Sequence, residues 1–104
     1  MGGMTDVLVE FDTVLRHHTE GTWSARACAR QRADGLWEGY LEFTPRNGDG
    51  ATVSTERETE QSNRDAVLYW AEGLTQVYLE GALVRAVTKA RPRPIAEEEM
   101  NLED

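Results

Sequence analysis

From Asp6 to Arg16, Val7, Val9, Phe11, Thr13 and Leu15 fall at every second position, with Glu10 and Asp12 between them. A period of two is the mark of a half-buried strand. Val7, Leu8, Phe11, Val14, Leu15 and His18 also fit a helical stripe, so a helix is the competing reading. The β-branched content and the hairpin-like His18-Thr19-Glu20-Gly21 favour strand.

Three further segments alternate. Thr22 to Arg32 sets Trp23, Ala25, Ala27 and Ala29 against Ser24, Arg26, Cys28 and Arg30, and Ala33-Asp34-Gly35 then supplies a turn. Leu36 to Thr44 sets Trp37, Gly39, Leu41 and Phe43 against Glu38, Tyr40 and Glu42. Pro45 to Gly50, with Asn47-Gly48-Asp49-Gly50, is loop by composition. Ala51 to Glu60 sets Val53, Thr55, Arg57 and Thr59 against Thr52, Ser54, Glu56 and Glu58. Short connections make neighbours antiparallel, so the expectation is a four-stranded meander in chain order. One face is apolar (Trp23, Trp37, Leu41, Phe43, Val53) and the other ionic (Arg26, Arg30, Glu38, Glu42, Glu56, Glu58).

The period then changes from two to that of a helix. Ser62 or Asn63 can cap a helix with the stripe Ala66, Val67, Trp70, Ala71 and Leu74, ending near Gly73. Thr75 can cap a second, with Leu79, Ala82, Leu83, Ala86, Val87 and Ala90 on one side, stopped by Pro92 and Pro94. A single helix bent at Gly73 is the alternative. The expected fold class is α+β: a two-layer ββββαα sandwich, with both helices on the apolar sheet face. One domain over residues 5–90 and a disordered Pro-rich and acidic tail over 91–104 complete the layout.

Composition narrows the function. At 104 residues the chain is long enough to bury a core without metal or disulfide. Eleven Lys and Arg face nineteen Asp and Glu, a formal charge of -8. Five of these acids fall in the last eight residues, and without them eleven cations still face fourteen acids. Because nucleic-acid affinity comes mainly from cations releasing counterions, neither nucleic acid nor an anionic membrane is an expected partner. Cys28 is the only cysteine, so no internal disulfide can form, and a cytoplasmic location is expected. No apolar run approaches the length of a membrane helix, and Met1 to Thr5 has no export pattern.

Catalytic chemistry finds little support. His17 and His18, near Glu10, Asp12 and Glu20, lack the spacing of a metal motif and read as a solvated turn, so no metal or cofactor is expected. Cys28 has Arg26 and Arg30 beside it but no identifiable general base. Glu38, Glu42, Glu56 and Glu58 interleave with arginines on an open sheet rather than lining a cleft. The Asn47-to-Gly50 loop precedes a strand and has no following Lys, unlike a phosphate-binding loop. Among the aromatics Trp23, Trp37, Tyr40, Phe43, Tyr69, Trp70 and Tyr78, most belong in the core. Tyr40 and Tyr69 fall off their stripes and are candidate anchors for a partner protein. Gly81, inside the second helix, is expected to allow a close approach to the sheet or to another chain.

The expectation is therefore a non-enzymatic module binding another protein or a second copy of itself. The rival is a small-molecule binder or enzyme with Cys28, Arg57 or Tyr78 in a cleft between helix and sheet. A third possibility is an acidic mimic of nucleic acid.

Overall fold

The computed structural model describes residues 5–47 and 50–91. In chain order it has β1 (Thr5–Glu10), β2 (Leu15–His17), β3 (Gly21–Gln31), β4 (Trp37–Pro45), β5 (Val53–Ser54) and β6 (Thr59–Gln61), then helices α1 (Arg64–Glu72) and α2 (Gln76–Ala90). All strands belong to one antiparallel sheet. β3 pairs with β4 from Trp23 opposite Pro45 to Gln31 opposite Trp37. β1 and β2 lie along the other side of β3, and β5 and β6 along the other side of β4. An antiparallel sheet followed by two helices is the α+β arrangement expected, but the first and fourth strands are each broken in two.

The long central pair follows from uninterrupted alternation in two segments joined by a tight loop. Arg32 N donates to Leu36 O at 2.8 Å and Gly35 N to Arg32 O at 3.0 Å, with Gly35 at φ +92°, a conformation that costs glycine nothing. On the inner face Ala27, Leu41 and Phe43 have no exposed surface and Trp23 and Ala25 very little. They pack against Ala71 of α1 and Leu79, Ala82, Leu83, Ala86 and Val87 of α2. Each fully buried Leu or Phe contributes roughly 1.5–3 kcal/mol. Gly39 sets the spacing: a Cβ there would stand 2.8 Å from Trp70 Cζ3 and from Val67 Cγ1. Only glycine lets α1 settle this closely on β4.

Both helices begin where their caps are. Asn63 Oδ1 accepts from Ala66 N at 2.8 Å, and Thr75 Oγ1 from Tyr78 N at 3.2 Å, each satisfying an amide that the first turn leaves without a helical partner. Two caps make two helices, not one bent at Gly73. Ala90, placed on the buried stripe from its spacing, is exposed at the end of α2.

The broken outer strands overturn two face assignments. Val7 pairs with Cys28 and Val9 with Ala27, so Leu8 is an extra residue and the alternation inverts across it. Val7 thus lies on the outer face, while Val9 and Phe11 pack against the core. Between Ser54 opposite Glu42 and Thr59 opposite Gly39, four residues span two of β4, and Glu56 and Glu58 turn from the ionic face toward α2. Residues 92–104, expected as a disordered tail, lie outside the described residues, as do Gly48 and Asp49 of the expected loop.

Candidate functional site

The five residues singled out from the sequence occupy separate places. Cys28 and Tyr40 are cross-strand neighbours on the outer sheet face, where both are buried. For Tyr40 this corrects the expectation of an exposed anchor. Among the described residues no second layer covers it; its own neighbours do. Cys28 lies beside it in the register, the Arg30 guanidinium stacks over its ring at 4.6 Å, and Val7 stands on the far side of Cys28. Burial pushes the Tyr40 hydroxyl above its ordinary range. Burial and the Glu42 charge push the Cys28 thiol up to about 11 despite the opposing Arg26. Near neutral pH Cys28 is a protonated, enclosed thiol, poorly suited to act as a nucleophile.

The same face shows where its charges go. Arg26 Nε donates to Glu42 Oε1 at 2.7 Å, Arg30 Nε to Glu38 Oε1 at 3.0 Å, and Arg32 reaches Glu60 at 2.5 Å and Asp34 at 2.7 Å. Arg57, the fourth candidate, holds Glu60 at 3.0 Å. Arg26–Glu42 and Arg30–Glu38 join adjacent strands, while Arg32–Asp34 and Arg57–Glu60 are local pairs, and each of these charges is taken up by its partner.

Tyr78, the fifth, belongs to a cluster at the seam between α2 and the sheet. Its hydroxyl donates to Glu58, which also accepts two bonds from Arg85, at 2.6 and 3.0 Å. Burial alone would push the Glu58 carboxyl up, but the bonds from Arg85 and Tyr78 and the Arg85 charge outweigh it, so the carboxyl lies below its ordinary range. Burial, with the bond to Glu58, pushes Tyr78 up. The trio is thus an ionised clamp holding α2 to the irregular segment before β6. Sequence patterning placed Glu58 on the opposite sheet face and so missed the cluster.

His17 also departs from expectation. It is buried rather than solvated, and its Nδ1 accepts from the backbone N–H of Thr19 and of Glu20, both at 3.1 Å. Its ring stacks on that of His18, with centroids 4.5 Å apart. Burial, then the charges of His18 and Arg91, lower its pKa. An Nδ1 that accepts two bonds shapes the turn and carries no proton there. Among the described residues no three His, Cys, Asp or Glu side chains are placed to hold a metal ion.

Open clefts among the described residues include three. One of about 250 Å³ lies along Glu10, Arg26, Glu42 and Thr44, and one of about 310 Å³ lies at the end of the sheet beside Trp23, Val53 and Val87. The third, of about 410 Å³, is bounded by Tyr69, Trp70, Glu72, Gly73 and Leu74 at the end of α1. None is lined by Cys28, Arg57 or Tyr78. Cys28 and Tyr78 lie on opposite sides of the sheet, so no single cleft takes in both.

The helices' outward side is different in kind. Tyr69 is 82% exposed beside the third cleft, as its position off the stripe predicted. On α2, Val77 is equally exposed and Val84 partly so. Neither valine was singled out from the sequence, although both lie opposite the buried stripe, which could have revealed them. A Cβ at Gly81 would meet nothing within 4 Å, which excludes a close approach to the sheet as its purpose. No helix among the described residues is long and apolar enough to cross a membrane. Comparison with protein-family models, with curated proteins and with solved structures gives no match to this chain.

Proposed function

We propose that this chain is a non-catalytic module that binds another protein through the outward side of its helices, with Tyr69 as an anchor. Tyr69 itself carries the proposal: a large amphipathic ring almost wholly in solvent, set beside a cleft walled by Trp70, Gly73 and Leu74. Tyrosines of this kind dominate the energetics of many protein interfaces. The titratable groups elsewhere support binding over chemistry. Cys28 is enclosed and protonated, Glu58 is clamped by Arg85 and Tyr78, and the outer-face arginines are occupied by Glu38, Glu42 and Glu60. A lone enclosed thiol also fits a reducing, cytoplasmic compartment.

Affinity capture from native lysate with the full chain provides the test, run beside Tyr69→Ser and the outer-face pair Arg26→Gln with Glu42→Gln. The expected result is one or more retained proteins, lost with Tyr69→Ser and kept with the outer-face pair. Failure to retain any protein, or retention indifferent to Tyr69 and abolished by the outer-face changes, overturns the proposal.

A further inference from the structure

The outward side of α2 carries a pattern of its own. Val77, Gly81, Val84 and Thr88 follow at intervals of four, three and four residues, the spacing of a coiled-coil seam. Leu79, Ala82, Leu83, Ala86 and Val87 pack on the sheet from the other side of the helix, so the seam is additional to the core stripe. Gly81 lies in its middle. Glycine weakens a helix interior, and nothing among the described residues repays the choice, since a side chain there would meet none of them within 4 Å. A glycine on an exposed helix face leaves room for a second backbone to come close.

Charge selects the occupant and its direction. With Val77 and Val84 at the d positions of a heptad and Gly81 and Thr88 at the a positions, Glu80 falls at g and Arg85 at e. These flanking positions pair between two parallel helices, g of one with e of the other. By symmetry a second copy makes the contact twice. An antiparallel arrangement would instead set the Arg85 flank against itself and the Glu80 flank against itself. Both groups have capacity left. Arg85 holds Glu58 through two of its N–H donors while its side chain remains 54% exposed, and Glu80 accepts only long bonds, at 3.3 Å, from Arg16 N and Gln76 Nε2. The sheet edges offer less to a second copy: the strands flanking the central pair have six, three, two and three residues, and short interrupted edges are poor templates for pairing.

We propose that α2 pairs in parallel and in register with α2 of a second copy of this chain, with Gly81 at the closest approach. This goes beyond binding through Tyr69, which lies on α1 outside the seam. One helix of 15 residues offers a small contact, which places the dimer at the weak end of the affinity range.

Sedimentation velocity of the full chain tests it. The mass is expected to rise from that of one chain toward twice that value as concentration increases through the micromolar range. Gly81→Leu and Val77→Glu are each expected to hold the protein at single-chain mass with native circular dichroism. Gly81→Leu should also melt higher, since a better helix former replaces glycine. Cys28 is buried, so Val77→Cys and Thr88→Cys each introduce one accessible thiol, and each alone should give a covalent dimer on mild oxidation. A single-chain mass at every concentration overturns the proposal, as does a dimer indifferent to Gly81→Leu and Val77→Glu. So does crosslinking only when Val77→Cys chains are mixed with Thr88→Cys chains, which marks an antiparallel pair. Tyr69→Ser should leave the dimer intact, so the dimer and the capture of a partner through Tyr69 fail separately.

Discussion

On its inner side the sheet meets two helices, and Ala27, Leu41 and Phe43 are sealed by a second layer. On its outer side no layer is present among the described residues, yet Cys28 and Tyr40 are enclosed by the residues beside them, with Arg30 lying over the tyrosine ring and arginine–glutamate pairs on either side. The inner face is closed by packing between layers, the outer by lateral pairing within one sheet. A dense array of charge is therefore no sign of a binding site when its members satisfy one another. The most exposed large apolar groups among the described residues, Tyr69 and Val77, are on the outward side of the helices, against the half-exposed Val7 on the outer sheet face.

Mutations that strike the two sheet faces should differ widely in cost. Phe43→Ala empties the inner layer and is expected to destabilise by about 3–5 kcal/mol, measured by urea denaturation. Glu58→Gln removes the charge that holds Arg85 and Tyr78, and about 1.5–3 kcal/mol should be lost. Gly39→Ala drives a methyl group into Trp70 and Val67 and should cost about 1–3 kcal/mol. A double-mutant cycle on Arg26 and Glu42, in contrast, should give only about 0.2–1 kcal/mol, shrinking with added salt. A large, salt-insensitive coupling there would erase the contrast between the faces.

Acid titration sharpens the comparison at the seam. The Glu58 carboxyl lies below its ordinary range in the folded chain. Its stabilising contribution is thus fully present above the unfolded carboxyl value and is lost as pH falls through the lower folded value. Wild type should lose stability over that acid range more steeply than Glu58→Gln. Identical profiles would show that the carboxylate is not the group holding the clamp. Cys28, with its thiol raised to about 11, should react with a thiol reagent at pH 8 only at the rate at which the sheet opens, and at once in denaturant.

The central strands and both helices were legible because each announces itself locally. β3 and β4 alternate without interruption, and Asn63 and Thr75 stand where helix caps must. The outer strands were not, because an inserted residue inverts alternation without any glycine or proline to mark it. Leu8 has neither beside it, yet it moves Val7 to the outer face. The segment from Thr55 to Glu58 likewise carries Glu58 from the ionic face to α2. Tyr40 was misplaced because periodicity reports which face a side chain takes and not whether its lateral neighbours enclose it. Tyr69 was legible from its position off a helical stripe, whereas the seam through Val77, Gly81 and Val84 emerged only once the space around Gly81 was known.

The division between a self-satisfied sheet face and an unsatisfied helical one is tested most directly by hydroxyl-radical footprinting. Dilute, isolated protein would be compared with the full chain in its assembled state, whether self-paired or bound to a captured partner. Labelling at Tyr69, Val77 or Val84 is expected to fall on assembly, while labelling on the outer sheet face at the half-exposed Val7 stays constant. Protection confined to Val7, with the helical positions unchanged, would contradict the account.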